Sequence, residues 1–234
     1  MKNAKWKMEN GLALKRCLSL CVLIVLLGAA VIGQERFLKP VDEAAEDASF
    51  LAFRNKLIAA VEKKDSRYIL SMVDPKIKNG FGGRDGIANF RRDWKLDRHD
   101  SEFWPKFDWV IRNGGAFTGE GSKKRNNFAA PYVYSNWPED LDAFENFAIT
   151  GTDVNLRKAP GTDSEVVGKL SYNIVKIESD LGADGRVPEW RRVSTLGGQT
   201  GYVHRDYVRS SVDYRAGFEK KRGRWVMTFF LAGD

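Results

Sequence analysis

VNLRKAPGTDSEVVGKL, residues 154–170, carries two short apolar runs on either side of Pro160-Gly161. Leu156 lies between Asn155 and Arg157, so one apolar side chain turns inward and two polar ones outward, the period of a strand. Pro160 then ends the pairing, because proline lacks the N–H that a ladder requires. Val166, Val167 and Leu170 resume it around Gly168. The stretch predicts a strand, a turn and a second strand.

The same texture continues downstream. NIVKIESD (173–180) alternates Ile174 and Val175 with Lys176 and Ile177, EWRRVST (189–195) carries Trp190 and Val193, and GQTGYVHRDYVR (198–209) carries Tyr202, Val203, Tyr207 and Val208. Turn residues separate the runs, and five short strands within roughly 60 residues are enough to close a small antiparallel barrel. Gly201 lets the backbone enter closely before Tyr202. Trp190 offers a broad apolar surface with one donor, suited to a core or to a groove.

Taken in order, Val154-Asn155-Leu156-Arg157, Pro160, Gly168 before Leu170, Trp190 with Val193, Gly201-Tyr202-Val203 and Asp206-Tyr207-Val208 resemble the bacterial Src-homology-3 (SH3) domain family over about residues 149–209. The resemblance implies an all-β SH3-like barrel that binds peptides or cell-wall peptidoglycan, or serves as a spacer. Peptide recognition needs an aromatic-lined groove and no covalent chemistry. The candidate ligand-binding residues are Arg157, Tyr172, Trp190, Tyr202 and Tyr207, with Asp163 as a further polar contact; a core role is weighed for each aromatic. His204 is expected at the surface, in the turn after the last strand.

Upstream, residues 34–48 read as a linker. FLAFRNKLIAAVEKKD (50–65) places Phe50, Phe53, Leu57, Ile58 and Val61 at helical spacing, with Ser49 or Asp47 as cap. SRYILSMVDP predicts a second short helix ended by Pro75, followed by a strand near Lys76–Asn79. GFGGRDG then forms a turn into a helix bearing Ile87, Phe90, Arg91 and Trp94. Its glycines lack the spacing and the lysine-serine pair of a phosphate loop. The aromatic residues of 101–134 read as paired strands between glycine turns, Lys123–Arg125 as a solvated loop tip and 137–145 as a turn or one short helix.

After the barrel, Tyr214, Ala216 and Phe218, then Trp225, Met227 and Phe229, alternate about the turn Lys221-Arg222-Gly223, predicting a hairpin whose apolar face needs another partner. The upstream helices and strands together with this hairpin loosely resemble the nuclear-transport-factor-2-like superfamily, a cone of helices on a bent sheet. The expected fold class is therefore α+β: a mixed domain of residues 49–148 plus 210–234, with the barrel, 149–209, inserted into it. Insertion into an exposed loop costs little when the inserted termini are neighbours.

Residues 1–33 read as a secretory signal. Lys2, Lys5, Lys7, Lys15 and Arg16 precede an uncharged stretch from Cys17 to Gln34, and small residues near Gly28 or Gly33 suit cleavage. The alternative is an uncleaved anchor, at the short limit for a span, and this segment is the one expected membrane contact. Cys21 lies too early in the apolar run for a lipoprotein. Both cysteines, Cys17 and Cys21, fall in the segment, so cleavage leaves no disulfide, thiolate metal site or cysteine nucleophile. Cleavage also lowers the formal charge from +7 to +3, because five basic groups and Glu9 leave with it. That balance argues against a nucleic-acid partner.

An enzyme or small-molecule binder, centred on the pocket of the cone-like domain, is the rival reading. A cone-like pocket suits an isomerase or hydratase acid–base pair, for which Asp85, Asp93, His99, Asp108 and Tyr132 are the candidates. No residue pattern gathers them, and Arg91, Arg92 and Arg98 are available to pair with the acids. His99 and His204 lack zinc-ligand spacing, and no Gly-x-Ser-x-Gly elbow is present. The reading preferred is an exported, non-enzymatic protein of the periplasm or cell envelope, with no cofactor, whose barrel binds a peptide or wall component.

Overall fold

A computed structural model describes residues 33–119, 121–178 and 185–233, with backbone alone at 122–124. The expected signal or anchor segment lies almost wholly outside the described residues. Among those described, no helix is long and apolar enough to cross a membrane.

The chain is α+β with two sheets. Helix α1 (Ala48–Glu62) starts where the Asp47 carboxylate accepts hydrogen bonds from the Ser49 and Phe50 amides at 2.8 and 3.0 Å, which satisfies two of its unpaired donors. It buries Phe50, Phe53, Leu57 and Val61 as their spacing requires. Asp65 caps α2 (Ser66–Ser71) in the same manner, and strand β1 (Val73–Lys78) follows. Gly86, at φ 94°, leads into α3 (Ile87–Asp93).

Residues 103–112 depart from the paired-strand expectation and form helix α4 (Phe103–Arg112). Phe103, Phe107, Val110 and Ile111 lie one turn apart on one buried face, and burying that stripe outweighs the strand preference of aromatic residues. Pro105 falls within the first turn, where its missing N–H costs nothing. Strands β2 (Ala116–Phe117) and β3 (Asn127–Ala130) are paired as expected. The Lys123–Arg125 run lies in a 3-10 turn between them, Gly121–Asn126, and the short helix α5 (Tyr132–Ser135) follows.

The second sheet comprises β4 (Asn146–Ile149), β5 (Val154–Arg157), β6 (Val166–Leu170), β7 (Ile174–Ile177), β8 (Trp190–Thr195), β9 (Thr200–His204) and β10 (Val208–Ser210), in the order β10-β4-β7-β8-β9-β5-β6. It wraps its own interior, made of Phe147, Ile149, Val154, Leu156, Leu170, Val175, Val193 and Val203. Its first strand begins at Asn146, three residues ahead of the boundary expected at 149.

The closing hairpin, β11 (Arg215–Lys221) and β12 (Arg224–Leu231), belongs to the first sheet, in the order β1-β12-β11-β3-β2. Arg222 and Gly223 at φ 50° and 80° form its two-residue turn, whose left-handed backbone matches the twist of the strands. A register shift opposite Gly217/Phe218 leaves Thr228 without a partner. The alternation therefore reverses: Phe230, not Phe229, enters the core, and Phe229 lies over Gly217 on the other face. The main core joins Phe50, Phe103, Phe107, Phe218, Trp225 and Phe230, with many rings edge to face.

Residues 35–43 differ from the expected linker. The Ile174 amide donates to the Arg36 carbonyl and the Leu38 amide to the Tyr172 carbonyl, both at 2.8 Å. Further along, the Gly115 amide donates to Val41 and the Glu43 amide to Gly115, both at 2.9 Å. One extended strap thus satisfies its backbone on both sheets. A third apolar cluster, Leu38, Tyr132, Val133, Ala148 and Ile174, fills the seam it crosses.

Candidate functional site

The outward face of the second sheet is set by the alternation of β5, β8 and β9. Leu156, Val193 and Val203 point inward, so Arg157, Trp190 and His204 point outward. Trp190 and His204 are direct partners across β8 and β9, their ring centroids 5.4 Å apart and nearly perpendicular. The Arg157 guanidinium carbon lies 5.9 Å from the Trp190 ring centroid, and Nη1 donates to the Ser164 carbonyl at 2.7 Å. Arg157 is thereby anchored by the loop between β5 and β6, at the edge of the indole.

These side chains line a groove of about 470 Å³ with Thr152, Asp153, Asn155, Thr162, Asp206 and Tyr207. Tyr207 is 46% exposed, in the 3-10 turn Arg205–Tyr207 between β9 and β10. His204 stands between two carboxylates, with Nε2 3.5 Å from Glu189 and Nδ1 3.3 Å from Asp206. The groove therefore pairs a flat aromatic floor with a fixed cation at one edge and acids at the other. Such a surface offers a ring face for stacking and polar groups for hydrogen bonds.

Of the five ligand-binding candidates, Arg157, Trp190 and Tyr207 meet in this groove. Tyr202 pairs with Arg157 and Arg192 in the ladder, and does not line the groove. Tyr172 lies in the turn between β6 and β7, at φ 59°, under the strap and on the seam side. Asp163 is exposed at the loop tip and lies outside the lining. His204 was expected on a turn surface; it ends β9 and contributes a groove wall. The signal was in the sequence: Val203 inward forces His204 outward beside Trp190.

The acid–base candidates do not gather at one site: His99 and Asp108 both line an opening beside Trp104, whose lining does not include Asp85, Asp93 or Tyr132. Asp85 pairs with Lys78 at 2.5 Å, and this hydrogen bond, followed by one from the Asn79 amide, holds its carboxyl below the usual value. Asp93 pairs with Arg84, and Asp108 with Arg112, at 2.8 and 2.7 Å. The His99 carbonyl accepts from Lys64 at 2.7 Å on the surface. Tyr132 is buried in the seam, and burial, with a smaller effect of Tyr172, pushes its phenol up to about 12. The interior between α1, α4 and the first sheet is occupied by aromatic rings.

The second sheet is thus a small all-β unit with its own interior and a groove on its outward face. A family model described as the bacterial SH3 domain matches residues 152–209. No curated protein matches the chain, and neither comparison supports the likeness of the remainder to the nuclear-transport-factor-2-like superfamily.

Proposed function

We propose that this is an exported, non-catalytic binding protein of the cell envelope, whose groove at Arg157, Trp190, His204 and Tyr207 grips an extended peptide of the cell wall. The observation that carries this reading is the half-buried Trp190, flanked by an anchored guanidinium and a perpendicular imidazole, open to solvent along the groove. Basic residues ahead of an uncharged apolar run support export. The bacterial SH3 match supports a binding module.

In the same reading the all-β unit is an insertion within a cone-like mixed unit. Ser210 pairs with Phe147, so the entering and leaving strands lie side by side, and β11 and β12 rejoin β1 and β3. Wall binding is tested by sedimenting the protein with purified wall sacculi. The native chain co-sediments and Trp190→Ala, still folded by circular dichroism, stays in solution. Equal retention of the two removes the groove from wall binding.

A further inference from the structure

The Trp190 groove carries uneven charge. Asp153 and Asp206 are the carboxylates of its lining and Arg157 is its guanidinium, so with His204 neutral a negative charge is in excess among the described lining residues. No ion pair joins Asp153, just ahead of β5, to Arg157 at the other end of that strand, nor to any other described residue. The Asp206 amide donates to His204 Nδ1 at 3.4 Å, so in the neutral imidazole that nitrogen carries the lone pair and Nε2–H faces Glu189. Nδ1 therefore offers no proton to the Asp206 carboxylate, 3.3 Å away. Arg205, next in the chain, turns to the Val187 carbonyl at 3.2 Å and lies outside the groove lining.

The two acids sit on turns that are tied to each other. The Thr150 amide donates to the Tyr207 carbonyl at 2.9 Å, which joins the turn bearing Asp153 to the 3-10 turn bearing Asp206. The Asp153 amide donates to Ser171 Oγ, also at 2.9 Å. Tyr207 and Trp190 add ring faces to the same lining. Carboxylates and ring faces both attract a cation, and neither attracts an anion.

We infer that the groove selects a peptide bearing a side-chain ammonium group, held by Asp153 and Asp206 against the aromatic faces. The inference rests on the peptide-binding reading of the groove: the main chain lies along Trp190 with a carbonyl towards Arg157, and the ammonium branches from it to the acids.

The probes are an end-blocked alanine pentapeptide with one central lysine, the same peptide acetylated on the lysine amine, and its glutamate counterpart. Each is titrated into the intact chain as recovered from an exporting host and followed by ligand-observed NMR. The lysine peptide binds saturably and about tenfold more tightly than its acetylated form, the combined size of an exposed ion pair and a cation–π contact. Asp153→Asn and Asp206→Asn together, in a chain still folded by circular dichroism, bring that ratio close to one; asparagine keeps the left-handed φ of 53° at position 153. Asp163→Asn, at the exposed loop tip outside the lining, leaves the ratio unchanged. Equal affinity for the lysine and acetylated peptides, tighter binding of the glutamate peptide, a ratio that survives the double variant or falls as far in Asp163→Asn, or no saturation by about 10 mM each overturns the assignment. Wall co-sedimentation through Trp190 is read separately. Retention on sacculi without a lysine preference leaves the groove standing and removes the ammonium; a lysine preference without retention does the reverse for the wall.

Discussion

Trp190 and His204 occupy directly opposed positions of β8 and β9, and their rings meet edge to face at 5.4 Å. The relationship follows from register: Arg191 opposes Val203, and one step back the two aromatic side chains reach the outer face together. The Trp190–His204 part of the groove is held by ladder hydrogen bonds, so it is as rigid as the sheet. That rigidity favours binding, because the floor need not be ordered by the ligand.

Gly217 lies under the Phe229 ring, where a Cβ would collide with the ring edge. Gly217→Ala is expected to cost about 1–3 kcal/mol, the range for overpacking. Adding Phe229→Ala relieves the collision, and the double variant unfolds in urea at a higher midpoint than Gly217→Ala alone. A double variant no more stable than the single one would show that the glycine serves the backbone instead.

Leu38 anchors the strap in the seam and is 5% exposed. Leu38→Ala is expected to lose about 2–5 kcal/mol, since the hole is walled by Tyr132 and Val133 of α5 and by Ala148 and Ile174 of the second sheet. Hydrogen exchange should quicken at the Ile174 and Gly115 amides, which the strap pairs on opposite sides. Exchange unchanged at both would remove the strap as a joint.

The buried Tyr132 hydroxyl has no hydrogen-bond partner among the described residues. Removing an unsatisfied polar group relieves a desolvation cost, so Tyr132→Phe is expected to be neutral or to stabilise by about 1 kcal/mol. A loss of that size in thermal unfolding would reveal a partner for the hydroxyl.

Asp74 on β1 accepts from Lys221 on β11 at 2.7 Å and from the Lys76 amide at 2.8 Å. The Lys221 hydrogen bond, opposed by burial and aided by the amide, lowers the folded carboxyl below 3.8. The unfolded chain therefore binds the proton more readily. The stabilisation is complete above the unfolded value and fades as pH falls through the lower folded one. Asp74→Asn is expected to cost roughly 1–2 kcal/mol at neutral pH and to converge with the native chain in acid. A difference that persists unchanged into strong acid contradicts the ion pair as its source.

Much of this fold was legible in local pattern. The strands of 154–208 and the cap at Asp47 follow from period, proline and side-chain chemistry within a few residues. What escaped depended on partners far along the chain. In Phe103–Arg112 an aromatic-rich composition hid a helical stripe that is plain once Phe107, Val110 and Ile111 are counted from Phe103. Residues 35–43 carry no period because their order comes from hydrogen bonds to strands that are distant in sequence. The bulge at Thr228, which exchanges Phe230 for Phe229, is set by close approach at Gly217. In the groove, Arg157, Trp190 and Tyr207 were visible as residue types. Their meeting with His204, and the absence of Tyr172 and Tyr202 from the lining, required the register.

The central claim, that the Trp190 groove grips wall-derived peptide, is tested most directly by adding soluble wall peptide to the isotope-labelled protein and mapping amide and indole shifts. The account predicts saturable shifts at the Trp190 indole N–H and at the amides of Arg157, His204 and Tyr207, all lost in Trp190→Ala. Saturable shifts on another surface with these four unmoved, or no shift at any accessible concentration, would contradict it.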